Sequence, residues 1–286
     1  MEREPFMIPQ DLLHDRFIPT HTPVYPRFDG PLFMSGGQFK DKPDDDLHPL
    51  TCAILDSMTA IFNSIRVYSL NSDRNPVLRD MILMTAKAEF AHLLAMPSAH
   101  TPDHDTANDF IYETVRIAAI IYLRTISLLK PLTRAHILDP TDPLLSAFPG
   151  LSTPTHVAQA STNPSIPSLL STTAPSLPPS LLTALFAAIR HVPTTNWKPH
   201  SGIWLWIVQC IHPDTEERWP SPQLKALVKR STYHVFTLDW QVYVNCMETV
   251  LAVQRFVREG RGGARESGMA MKEVGRKGEH DASGAI

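Results

Sequence analysis

The stretch from Thr106 to Lys130 constrains the fold more than any other, because its apolar residues do not keep to one face. Val115, Ala118, Ala119, Tyr122, Ile126 and Leu129 recur at helical spacing, and Ile117, Ile120, Ile121 and Leu123 fill the other sides. A helix that is apolar all round has to be covered all round. The spacing therefore predicts a central helix with others packed about it. Asp103, Asp105 and Asp109 suit its positive N-terminal end, Lys130 its negative end, and Pro131 stops it.

The rest of the chain supplies the covering helices. Ile54, Met58, Ile61, Phe62, Ile65 and Tyr68 predict a helix from Leu50 to about Asn71, with Asp46 or Thr51 as its cap. A second begins after Asn75-Pro76, where proline suits a first turn, turns Leu78, Ile82, Thr85, Ala86, Phe90 and Leu93 inward and runs to Pro97; a polar loop follows from Ser98 to Asp105. Further helices are expected over Pro179–Ile189, Pro199–Ile211 and Gln223–Phe236. The last runs from Thr237 or Asp239 to Glu259, with Trp240, Tyr243, Val244, Met247, Val250, Leu251 and Phe256 or Val257 on its apolar side and Gly260 as its end. No segment alternates with period two and none repeats at a fixed interval. The predicted fold class is all-α, an irregular multi-helix bundle.

Proline sets the divisions between these helices. Residues 1–49 carry eight prolines, from Pro5 to Pro49, which bias the chain toward extended conformations. Their aromatics, such as Phe6, Phe17, Tyr25 and Phe33, predict that the segment lies along a folded body of residues 50–258. Between His136 and Ser180 serine, threonine and proline dominate, which reads as a disordered insertion. Residues 259–286 are rich in Gly, Arg, Lys and Glu without periodicity and read as a disordered tail.

Hydrophobic residues make up 43% of the chain, enough to bury a sizeable core, and the net charge of −3 gives no global attraction for nucleic acid. Cys52, Cys210 and Cys246 are too scattered to form paired zinc ligands. The start, Met-Glu-Arg-Glu-Pro, lacks a secretory pattern, and the apolar runs Ile117–Leu123 and Ile203–Val208 are too short to cross a bilayer. An intracellular chain that does not span a membrane is the expectation.

No constellation of reactive side chains stands out. Glu89 and His92 share one helical face as in di-iron bundles, but the second such helix and the further glutamates are missing. His100 and His104 read as solvated loop residues, and His200-Ser201-Gly202 as a helix start. Cys246 reads as an inert buried thiol, and Ser35-Gly36-Gly37 has no P-loop lysine. The tail's arginines and lysines are nearly cancelled by Glu259, Glu266, Glu273 and Glu279, and Asp41 with Asp44–Asp46 forms a short acidic run beside aromatics. Neither catalytic residue, cofactor site nor metal site is nominated, so the chain is read as a non-enzyme. Glu113 and Arg116, three apart on the central helix, read as a buried ion pair that fixes packing. Of Trp204 and Trp206, on different faces, one is expected in the core and the other there too or toward a second layer or partner, with the core the favoured reading.

The order of these features resembles a known family. Ile111 to Leu123, followed by Trp197, His200, Ile203-Trp204-Leu205-Trp206 and Trp219, looks like the helical regulatory region of fungal binuclear zinc-cluster transcription factors, over about residues 50–258. The resemblance implies an α-helical module that acts in transcriptional regulation in the nucleus, with Glu113, Arg116, Trp204 and Trp206 as architectural positions. The cysteine cluster that would hold zinc and reach DNA is absent from the sequence. The resemblance thus predicts protein contacts with other transcriptional regulators, as homo- or hetero-oligomers, and no direct DNA binding by this chain. The alternative is a helical enzyme or small-molecule binding protein of a metabolic pathway, for which His92, His200 and His212 would have to converge with Glu89 or Asp214. A third reading is an incomplete gene product whose cysteine cluster lies upstream.

Overall fold

A computed structural model describes residues 29–34, 37–41, 47–71, 73–139, 141–148, 179–211 and 240–281. Among them the fold is all-α and contains no strand. The helices are α1 (Pro49–Leu70), α2 (Pro76–Ala95), α3 (Phe110–Ser127), α4 (Leu132–Ala135), α5 (Leu144–Ala147), α6 (Leu181–His191), α7 (Ser201–Gln209) and α8 (Trp240–Asp281). The helix expected over Gln223–Phe236, residues 140 and 149–178 of the expected insertion and most of the N-terminal aromatics lie outside the described residues.

Helix α3 occupies the centre, as its all-round apolar sequence requires. Every residue from Tyr112 to Ile126 is buried, and α1, α2, α4, α6, α7 and α8 all pack on it. Its boundaries differ from those predicted. It starts at Phe110 rather than Thr106, because Asn108 takes the left-handed conformation (φ 65°) and the Asp109 carboxylate accepts from Tyr112 N at 2.9 Å as the cap. It ends at Ser127 rather than Lys130, in a Schellman turn: Lys130 N donates to Thr125 O and Leu129 N to Ile126 O, with Leu129 at φ 51°. Pro131 forces this exit by barring Lys130 from the helical region, and a leucine fills the place where glycine is usual.

The covering helices follow their caps. Helix α1 is capped not by Thr51 but by His48, whose Nδ1 accepts from Leu50 N at 3.2 Å, and Asp46 lies outside the described residues. It has the length and mean hydropathy of a membrane-crossing helix, yet Ile54, Leu55, Met58, Phe62 and Ile65 are buried in its packing against α2, α3 and α8. Asn75 caps α2, and Ser180 caps α6. A 3-10 turn over Thr194–His200 includes Pro199, so α7 starts at Ser201.

Two segments that sequence composition marks as unstructured contain ordered chain. Leu138, Leu144 and Phe148 are buried, and α5 stands within the predicted insertion. Residues 136–138 are stitched to 179–181 by Leu138 N to Pro179 O and Leu181 N to His136 O, both 2.9 Å. The excursion between them therefore leaves and returns at one place. Helix α8 does not stop at Gly260 and continues to Asp281. Gly260 serves close approach instead: a Cβ there would stand 2.7 Å from the Leu129 side chain, and its carbonyl accepts from Arg79 Nη2 at 3.4 Å.

The face α8 buries overlaps the predicted one only in part. Val242, Cys246, Thr249, Ala252, Val253, Phe256 and Val257 are the buried set, so the expected Phe256 or Val257 is covered, whereas Trp240 and Leu251 stay exposed. Thr249 Oγ1 donates to Leu32 O at 3.0 Å, which ties the proline-rich N-terminal segment to this helix. Gly30 backs onto α7, where an added Cβ would meet Gly202 O at 2.4 Å and its carbonyl carbon at 2.6 Å. Backbone cannot swing aside, so Gly30→Ala is expected to lower stability by about 1–3 kcal/mol. A urea midpoint unchanged from the parent would overturn this contact.

Candidate functional site

The one charged pair in the sequence that sits among apolar residues becomes a closed site. Glu113 and Arg116 are each 2% exposed. Arg116 Nε donates to Glu113 Oε2 at 3.0 Å and Nη2 to Oε1 at 2.7 Å, the parallel fork that a guanidinium offers a carboxylate. Arg116 Nη1 donates to Leu93 O at 3.2 Å, which anchors the last turn of α2. Ser98 Oγ and Ala99 N donate to the two carboxylate oxygens, both at 3.1 Å, and the Phe148 ring covers the guanidinium at 5.2 Å. Each carboxylate oxygen thus receives two donors. The pair ties α3 to α2, to the loop at Ser98 and to the segment after α5, and leaves no lone pair for a ligand.

A second buried pair escapes sequence reasoning. Arg124 on α3 meets Asp142 and also reaches Ile137 O, so the chain between α4 and α5 is held by charge. The available signal was an arginine within an otherwise apolar helix. Its partner lay in a proline-rich stretch that composition marked as disordered.

Both tryptophans take the core placement, and neither is left to face a partner. Trp204 and Trp206 are both in the core, at 1% and 0% exposure. Trp206 stacks on Tyr122 (5.5 Å, 10°), whose hydroxyl donates to Trp206 O at 3.1 Å, and Trp204 lies 5.0 Å from Trp197. Helix α7 is covered on every side, since Ser201 through Val208 are all buried. One outward-facing ring is therefore impossible.

The histidines and thiols are dispersed. His92 stands on the solvent side of α2 with Nδ1 3.6 Å from Glu89, while His200 is buried at the start of α7. His100 packs edge-on to Phe110, and His191 stacks on that ring at 4.2 Å. His212, Asp214, Ser35 and Gly36 lie outside the described residues. Burial pushes the Cys246 thiol up to about 12 and raises that of Cys210 still further, so both stay protonated and weakly nucleophilic at neutral pH. Among the described residues no group of three or more His, Cys, Asp or Glu converges.

What the sequence does not reveal is a cleft of about 550 Å³ along one side of α8. Its walls are Leu32, the α3 residues Tyr122 and Thr125, the corner Pro131–Thr133 and the end of α7 at Gln209 and Ile211. Its long side is α8 itself, at Met247, Val250, Leu251, Val253, Gln254, Val257, Arg258 and Arg261. The apolar stripe that sequence periodicity assigns to the core thus borders an open cleft. Compared with known proteins, the chain matches no family model, no curated protein and no solved structure.

Proposed function

We propose that this chain is a helical regulatory module of the type found in fungal zinc-cluster transcription factors, acting in the nucleus through contacts with other regulatory proteins and without a DNA reader of its own. The observation that carries the reading is an apolar row left on the outside of the bundle. Val77 (69%), Met81 (60%) and Met84 (67%) on α2 are exposed, and Val67 and Leu70 at the end of α1 are exposed beside the chain that leads into it. Spacings of four and three put Val77, Met81 and Met84 on one face of α2. Behind Met81 a recess of about 140 Å³ opens between α1 and α2, lined by Ala60, Ile61, Ser64, Ile82 and Thr85. An amphipathic helix of a partner regulator fits this geometry, laying its apolar face along α2 and setting one anchor side chain in the recess. Methionines adapt their shape to such a partner at low cost.

The family likeness supplies the biological setting. Glu113, Arg116, Trp204 and Trp206, the residues on which it rests, lie together in the interior around α3 and α7, in keeping with the architectural role it gives them. The test is to tether the full chain to an unrelated DNA-binding domain in fungal cells and measure transcription from a matching reporter. The expected result is a several-fold change in transcription that Met81→Glu with Met84→Glu abolishes, while the purified double variant unfolds at the parent urea midpoint. A tethered parent chain that leaves the reporter unchanged would overturn the proposal.

A further inference from the structure

The cleft along α8 has a sharp division of character. The α8 residues on its rim, Met247, Val250, Leu251, Val257, Arg258 and Arg261, stand three or more positions apart except for the adjacent pairs Val250-Leu251 and Val257-Arg258, and so share one face of the helix as a single broad stripe. From Met247 to Arg261 that stripe runs about 21 Å at 1.5 Å per residue. Its first part is aliphatic and its last part carries two guanidinium groups.

The polar groups deeper in the wall are already satisfied. Tyr122 OH donates to Trp206 O, and Thr125 Oγ1 donates back to Ile121 O at 3.0 Å. The body of an occupant therefore meets apolar surface with no buried donor or acceptor asking for a partner. At the other end the balance is cationic. No aspartate or glutamate is among the lining residues, and no carboxylate among the described residues pairs with Arg258 or Arg261. The neighbouring acid on the helix, Glu259, is engaged with Arg74 at 3.1 Å.

We propose that this cleft binds a free aliphatic carboxylic acid, its chain lying against Val250, Leu251 and Val257 and its carboxylate held between Arg258 and Arg261. The volume lies within the range of small-molecule sites. Exposed Leu251 and half-buried Val250 gain by being covered, and the two guanidinium groups form charge-assisted hydrogen bonds to the anion at an end open to water. A small-molecule site of this kind is separate from the contact row on α2.

The test is equilibrium binding of dodecanoate to the full chain, beside dodecanol and dodecyltrimethylammonium, which share the alkyl body but lack the negative head. Saturable binding of dodecanoate at least about tenfold tighter than of dodecanol is expected. Arg258→Gln with Arg261→Gln should erase that difference without weakening dodecanol binding, since both side chains are exposed and the fold does not rest on them. Val250→Trp, which fills the stripe, should weaken both ligands. The proposal is overturned if dodecanoate does not bind saturably, if acid and alcohol bind alike to the parent chain, or if the arginine variant keeps the parent's preference. Binding only to vesicles of anionic phospholipid, with none to the free acid, would equally overturn it and mark a membrane-surface patch instead.

Discussion

Glu113→Ala is expected to destabilise the protein by about 3–5 kcal/mol, among the largest effects of any single substitution in the chain. Arg116 is 2% exposed and would keep only the Leu93 carbonyl as a hydrogen-bond partner, its charge stranded beside the Phe148 ring. Ser98 Oγ and Ala99 N would lose their acceptors at the same time. The loss comes from the uncompensated charge more than from the pair's net worth. Glu113→Leu combined with Arg116→Met should therefore recover most of it, because apolar residues of similar volume replace a buried pair at little cost. Urea unfolding followed by far-ultraviolet circular dichroism separates the two. A loss below about 1 kcal/mol for the single variant, or a double variant no better than the single, would show that the pair does not lock α3 in place.

Where the sequence spoke and where it did not has a physical pattern. Contacts between residues three or four apart were legible: the fork from Glu113 to Arg116, the centrality of α3 and the start of α2 at Asn75-Pro76 all follow from spacing on one helix. Contacts that depend on which loop covers which face were not. Ser98, Ala99 and Leu93 complete the ion pair from other parts of the chain, and Asp142 reaches Arg124 from a segment whose prolines suggest disorder. Local conformational rules also gave way to packing at particular residues. Leu129 accepts a left-handed backbone so that the chain can leave α3 before Pro131, and Gly260 is used for its missing side chain rather than as a helix end.

Helix α8 shows the same division. Periodicity located the helix but could not say which of two apolar stripes is covered, since Val242, Cys246, Thr249, Val253 and Phe256 interleave with Met247, Val250 and Leu251. The neighbours decide: α1 and α3 pack on α8, with Tyr68 edge-on to Phe256, Thr249 is tied to Leu32, and Met247, Val250 and Leu251 border the cleft together with Val253. Of the apolar side that periodicity marks, Phe256 and Val257 are buried, Met247 and Val250 are half-covered and Leu251 is exposed.

Trp206→Ala is expected to cost about 3–5 kcal/mol, the range for deleting a large aromatic from a packed interior. The ring is fully buried, stacks on Tyr122, and through it joins Phe62 of α1, whose ring meets Tyr122 edge-on at 5.2 Å. The Tyr122 hydroxyl bonds the backbone carbonyl of Trp206, so that hydrogen bond survives the substitution and the loss reports the ring alone. Trp206→Phe should be markedly milder. It keeps a stacking face for Tyr122 and removes an indole N–H that is buried with no acceptor among the described residues. A cycle with Tyr122→Leu isolates the stacking, for which a coupling of about 0.5–1.5 kcal/mol is expected. If Trp206→Ala and Trp206→Phe lose stability equally, the ring does not bridge α1, α3 and α7 as described. A coupling near zero with the expected losses intact would instead mean that volume alone, and not the alignment of the two rings, holds α7 against α3.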